Sequence, residues 1–163
     1  MEAFVTENSY DSTKATQEHI DMVNKYLRFM AHQLLVRGIE HDRSKLHTPE
    51  KEMFDKVTPK LKDTVYNSSE YKEHLVELGD ALSHHYSHNR HHTEHWPNGI
   101  MDMNLVDIME MFCDWCAATL RHNSGNIHTS IAINKDKYGI GEVLAQIFEN
   151  TVNEYNMGKV DNA

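Results

Sequence analysis

The chain is predicted to be all-α, a single-domain helical bundle of five or six helices. Three observations predict it. Apolar residues recur at three- and four-residue steps through most of the 163 residues. Helix caps and stops punctuate those stretches. No segment alternates with the two-residue period of a strand. The length suits one sizeable core rather than two domains. The core is expected over about residues 15–155, with flexible tails at 1–12 and 158–163.

The first helix is expected over about 13–36, where Ile20, Val23, Leu27, Met30, Leu34 and Leu35 mark an inward stripe and Gly38 a stop. "HTPEKEMF" offers Thr48 as N-cap and Pro49 at the first helical position, with acids following, and predicts a helix over about 49–61. "NSSEYKEHLVELGDALSHHY" opens on capping serines and carries Tyr71, Leu75, Leu78 and Leu82 on one stripe, ending near His88 and Asn89. A polar loop with Pro97 and Gly99 follows. Asn104 caps the next helix, which stops before Gly125. A short helix near 130–137 and a last one over about 141–155 complete the bundle.

Composition excludes several roles. With 25 acidic and 16 basic side chains the formal charge is −9, so no broad basic surface for duplex nucleic acid is expected, though a local phosphate pocket is compatible with it. No apolar run approaches a membrane span. The N-terminus lacks the basic-then-apolar order of a secretory signal, which predicts a cytoplasmic protein. Cys113 and Cys116 stand within an apolar helical pattern and are expected as reduced, mostly buried thiols; two cysteines do not make a structural zinc site. Trp115 is expected in the core, and Trp96 in the polar loop is the better candidate for stacking on a base. A homo-oligomer is compatible with the sequence, which does not decide it.

The chemistry-bearing feature is "HHYSHNRHHTEH", six histidines in residues 84–95. Imidazole is the commonest protein ligand for transition metals, although such a run also occurs as a solvated surface tract. The rest of the chain decides between these readings by supplying partners. "HDRSKL" places His41 beside Asp42, and at an irregular helix start both reach one ion or two neighbouring ions. His19 lies 22 residues upstream, on a helix expected to return so that it faces the pair. Asp114 falls among Met111, Phe112 and Trp115, where a carboxylate is costly to bury unless paired or metal-bound. Adjacent histidines on a helix point about 100° apart, so each doublet, His84/His85 and His91/His92, is expected to give one ligand. His88 and His95 are alternatives.

The order His19, His41-Asp42, the histidine cluster and Asp114 resembles the HD superfamily of metal-dependent phosphohydrolases. "HDRSK" is similar to the HDxxK run of its HD-GYP branch, although the Gly-Tyr-Pro signature is absent. Over most of 15–155 the chain also looks like a small uncharacterised family found largely in bacteriophage genomes. The resemblance implies an HD-like bundle holding one or two divalent transition-metal ions (Mn, Fe, Zn, Co or Ni). The metal ligands it implies are His19, His41, Asp42 and Asp114, with His84 or His85 and His91 or His92. It implies Lys45 against the substrate phosphate, with Arg43 and His88 as further substrate contacts. Glu110, one turn before Asp114, then orients the attacking water, accepts its proton or simply supports a ligand. The expected activity is hydrolysis of a phosphate ester in a nucleotide or nucleotide-like small molecule. An HD-type di-iron oxygenase and a non-catalytic nucleotide-binding or partner-binding phage protein are the alternatives.

Overall fold

The computed structural model describes residues 10–121 and 125–158. Among the described residues seven α-helices follow in chain order: α1 Thr13–Glu40, α2 Lys51–Asp63, α3 Ser69–Leu78, α4 Asp80–His88, α5 Leu105–Thr119, α6 Ile127–Tyr138 and α7 Glu142–Tyr155. Short 3-10 turns occupy Arg43–Leu46, Thr93–His95 and Gly99–Asp102. No strand is present among the described residues, and no helix is long and apolar enough to cross a membrane. Of the expected tails at 1–12 and 158–163, residues 1–9 and 159–163 lie outside the described residues, as do residues 122–124 before Gly125.

Local chemistry accounts for the boundaries. Ser68 caps α3 by accepting from the Tyr71 amide. Asn104 and Asp107 form a reciprocal capping box on α5. Asn126 accepts from the His128 and Thr129 amides and starts α6 earlier than Ser130. The single helix expected up to His88 is two, because Gly79 takes φ 51°, ψ −124°, a backbone region that disfavours any residue with a Cβ. Gly38 does not stop α1, which runs to Glu40. Thr48 is not the N-cap of α2 and Pro49 is not its first residue. Lys51 begins the helix, and Glu50 ahead of it turns its carboxylate inward.

The apolar core lies among α5, α6 and α7. Phe112 and Phe148 stack at 4.7 Å, Trp115 meets Phe148 edge-on, and Ile127, Ile131 and Val152 close around them. Each such side chain contributes about 1.5–3 kcal/mol on leaving water. Cys116 is buried here, whereas Cys113 is exposed, so only one thiol of the pair is covered. Trp96 is not free to stack on a ligand: its Nε1 donates to the Arg90 carbonyl and the Arg90 guanidinium covers its ring.

α1 departs most from expectation. The stripe Ile20, Val23 and Leu27 is exposed, and every residue from Asp11 to Phe29 is exposed. Only the C-terminal half meets the body, where Met30, Gln33, Leu34 and Arg37 pack toward α5.

Candidate metal centre

α5 carries three carboxylates on one face, at steps of three and four residues: Asp107, Glu110 and Asp114. Each takes a different task. Asp107 is fully buried and receives both arms of Arg90, at 3.1 and 3.0 Å, together with the Arg37 guanidinium. A buried carboxylate between two arginines joins three elements, the end of α1, the segment after α4 and the start of α5. That joint brings the residues just beyond α1 against the middle of α5.

Those residues are His41 and Asp42. Asp42 adopts a left-handed conformation (φ 57°, ψ 13°) that aspartate tolerates better than most residues. The turn lets both side chains face the same space. His85 arrives from α4, and His91 and His92 arrive from the turn beyond it. That segment is not helical, so the neighbouring imidazoles converge with ring centroids 4.1 Å apart. Both members of this doublet therefore enter the cluster, where helical geometry predicted one. In the other doublet only His85 does.

Two donor groups result. Asp42, His85, His91 and His92 form one; His41, Asp42 and Asp114 form the other, with the donor atoms of each within 4.8 Å of one another. Asp42 belongs to both. Its Oδ1 lies 3.3 Å from His85 Nε2 and 3.5 Å from His91 Nε2, while its Oδ2 lies 3.7 Å from His41 Nε2. His41 Nε2 is 3.6 Å from Asp114 Oδ1, and His85 Nε2 faces His92 Nε2 at 2.9 Å. Donor atoms about 3–3.5 Å apart are spaced as the edge of a coordination shell with bonds near 2.1 Å.

The opposite ring nitrogens are held by carboxylates. His41 Nδ1 meets Glu110 Oε1 at 2.9 Å, and His91 Nδ1 approaches the same oxygen at 3.1 Å. His85 Nδ1 meets Glu50 Oε2 at 2.9 Å. Carboxylates behind imidazoles in this way fix the ring orientation and leave Nε2 free to ligate. The further grouping of His41, His91 and Glu110 is this supporting arrangement, formed on the Nδ1 side.

Whether a cation fits is answered by the polar atoms the fold leaves unmatched. Asp42 Oδ1, both ring nitrogens of His91 and Glu110 Oε2 are buried without a hydrogen bond. The short approach of His91 to Glu110 is not aligned as one. A buried unmatched polar group costs about 1–3 kcal/mol, and four in one cluster are unusual. Asp42 Oδ1 and His91 Nε2, 3.5 Å apart, would hold a divalent ion, whereas Glu110 Oε2 lies 3.3 Å from Arg37 Nη1. The donor set, imidazoles and carboxylates without thiolates, suits a transition metal and not calcium.

The charges are arranged to match. Burial holds His92 neutral, its pKa pushed down to about 2 with His91 and His85 acting in the same direction. Burial, then Lys45, lowers His85 as well. His41 is raised to about 10 by its contacts to Asp114 and Glu110, so without a metal an imidazolium carries the positive charge there. Burial raises Asp42, but Lys45, His85 and His41 outweigh it and hold the carboxyl well below the usual range. Burial likewise opposes ionisation of Glu110, yet His41, His91 and Arg37 bring it to about 2.

The other expected residues fall as follows. Lys45 Nζ donates to Asp42 Oδ2 at 2.6 Å and lies over the Phe54 ring. Arg43 is largely exposed beside Glu40, outside the centre. His84 Nδ1 pairs with Glu50 Oε1 at 2.7 Å and stacks on exposed His88, so neither joins the donor groups. His95 Nδ1 donates to the Tyr86 carbonyl. His19 is a correction. It sits on the same continuous helix that ends beside His41, and 22 residues of helix span about 33 Å. A straight helix cannot fold back on its own end, so His19 stands exposed far from the cluster.

Glu50 is the residue the sequence reading missed. It is fully buried, bonded by His84, His85 and Ser44, and held below the usual carboxylate range by those partners against the effect of burial. Ser44 itself is held by Asn89 Nδ2 at 2.8 Å. The only signal was an acid next to Thr-Pro, which reads equally well as a solvent-facing first-turn acid.

A cavity of about 1170 Å³ separates α2–α4 from α5 and α6, and Lys45, His85, His92 and Asp114 form part of its wall. Phe54, Leu78, Leu82 and Trp115 supply apolar surface, and Tyr66, Tyr71, Tyr86 and Tyr138 supply phenols. Burial pushes Tyr66 up to about 12 and raises the other three, so all four remain neutral hydrogen-bonding groups.

Fold and site together define an all-α protein with a histidine- and carboxylate-lined centre where α1, α4 and α5 meet. The chain belongs to the Family of unknown function (DUF5662), whose model matches residues 8–154. No curated protein and no solved structure matches the chain.

Proposed function

We propose that the protein is a metal-dependent phosphohydrolase of the HD type, acting on a nucleotide or nucleotide-like small molecule. The observation that carries the reading is the convergence of His41, Asp42, His85, His91, His92 and Asp114, with Asp42 shared between two donor groups and buried ligand atoms left unmatched. The HD resemblance supports it through His41-Asp42 and Asp114, while His19 has no part in it.

A divalent transition metal bound there supplies Lewis acidity and lowers the pKa of a coordinated water toward neutrality. The protein's own groups do the rest. Glu110 and Glu50 hold the imidazoles by their Nδ1 atoms, which makes both positioning residues, and the second Glu110 oxygen faces the Arg37 guanidinium at 3.3 Å. Lys45, partly exposed beside Asp42, is placed to neutralise a phosphate entering from the cavity. The aromatic and phenolic walls suit a flat, hydrogen-bonding group such as a nucleobase and screen the centre from bulk water.

The test is the purified protein, reconstituted with Mn, Fe, Zn, Co or Ni, against nucleoside monophosphates and cyclic nucleotides, with product resolved by chromatography. Metal-dependent hydrolysis abolished by Asp42→Ala is expected. Equal turnover by wild type and variant, or none with any metal, overturns the reading. Metal content after anaerobic purification separates it from oxygenase chemistry.

A further inference from the structure

We propose that α1 is a dimerisation helix, and that its uncovered N-terminal half packs against the same segment of a second copy of this chain. α1 has 28 residues, about 42 Å of helix, and not one buried side chain. Helices owe most of their stability in water to the burial of an apolar face. Here that face is present and uncovered. Advancing 100° per residue, Lys14, Glu18, Asp21, Lys25 and Arg28 gather on one side. Ile20, Val23 and Leu27 lie opposite, flanked by Tyr26, with Met22 and Phe29 extending the apolar surface to the border of the charged side; the six are between 41% and 65% exposed.

The area decides that this is an interface. Taking roughly 200 Å² for a large apolar side chain, those six present about 600–700 Å². That is at or above the largest patch of an ordinary monomer, about 300–600 Å². It also approaches the roughly 800 Å² per partner of a stable interface.

Charge and shape point to a second copy as the occupant. The chain carries −9 overall and repels itself at most contacts. α1 up to Phe29 has three basic and two acidic side chains, all on the face turned away, so two copies meet there without like-charge repulsion. Beside the stripe a groove of about 570 Å³ runs between α1 and the start of α5, lined by Phe29, Met30, Leu105 and Val106 together with Arg37 and Arg90. A two-fold axis near the middle of the stripe gives each copy both a ridge and a groove, as an isologous contact requires. The inference stands apart from the proposed hydrolysis, since none of these residues belongs to the metal centre.

Sedimentation of the full chain at tens of micromolar tests it. Wild type is expected at twice the chain mass, and Val23→Asp/Leu27→Asp at the monomer mass with unchanged far-ultraviolet circular dichroism. A monomeric wild type overturns the proposal, whether or not α1 then binds anionic vesicles. A double variant that stays dimeric overturns it too, by moving the interface elsewhere. Should the double variant unfold, Val23→Cys in a Cys113→Ala background decides: oxidation yielding a disulfide-linked dimer supports the contact, and no cross-link overturns it.

Discussion

The two halves of the molecule are held by different physics. Among α5–α7 the interior is apolar and closely stacked: Phe112 on Phe148, with Trp115, Ile131 and Val152. From α1 to the loop before α5, the buried hydrophobics among the described residues are Val57, Leu78, Ala81 and, at the very end, Met103, which packs on the apolar core; the covered positions include Glu50, His85, Asn89 and His91. The α5–α7 half is sealed by exclusion of water. The N-terminal half is joined by hydrogen bonds and ion pairs around a cluster whose buried atoms are not all matched. The contrast teaches where a cation would matter: the unmatched buried polar atoms lie in the polar half, beside the donor groups that would hold one.

That comparison can be broken at either half. The largest effect is expected from Phe112→Ala, which opens a cavity in the apolar half and costs about 3–5 kcal/mol. Urea denaturation measures it, and metal stoichiometry below the transition should be unchanged. If metal binding is lost as well, the two halves are not independent of each other.

Metal itself comes next. At a free concentration one hundred times its Kd, a ligand of the native state adds about 2.7 kcal/mol, which is roughly 5–10 °C in Tm for a chain of this size. Scanning calorimetry with chelator, then with added Mn or Zn, should show that rise in wild type and none in Asp42→Asn. A Tm indifferent to every metal tried would leave the buried unmatched atoms without their explanation.

Glu50→Gln is a finer cut. The amide keeps the volume but loses the charge behind His85, and such supporting carboxylates are worth about 10–100-fold in metal affinity. Titration calorimetry should find that loss with stability of the metal-free protein little changed. An affinity equal to wild type would reduce Glu50 to a packing role.

The sequence foretold much of this and missed identifiable parts. The helical class, the caps at Ser68 and Asn104 and the apolar face of α5 are local properties, and local periodicity revealed them. His41, Asp42 and Asp114 stood out because a carboxylate in an apolar helix and a His-Asp pair are chemically conspicuous. Glu50 did not, since its partner lies 35 residues away and no spacing rule links them. The His91/His92 doublet was misjudged by assuming helical geometry where the backbone turns. His19 was misplaced because periodicity alone does not say that one helix runs unbroken from Thr13 to Glu40. The same ambiguity hid the exposure of α1: an apolar stripe reads alike whether it faces its own core or a partner.

The smallest effect is expected at the edge of the polar half, where α2 and α3 are tied by Glu77, 2.6 Å from Lys60 and 2.9 Å from Lys56. Lys60, then Lys56, lowers the Glu77 carboxyl from 4.5 to about 2. A carboxyl whose folded pKa lies below its unfolded value favours the native state fully above about pH 4.5. That contribution fades as pH falls toward 2. The group is solvent-accessible, so salt screens the pair and its worth is slight. The Tm difference between wild type and Glu77→Gln should therefore be small at pH 7, shrink between pH 4.5 and 2, and shrink again at high ionic strength. If the difference were large and insensitive to both, α2 and α3 would be coupled by something other than surface charge, and the account of the polar half would need a buried contact that Val57 and Leu78 alone do not supply.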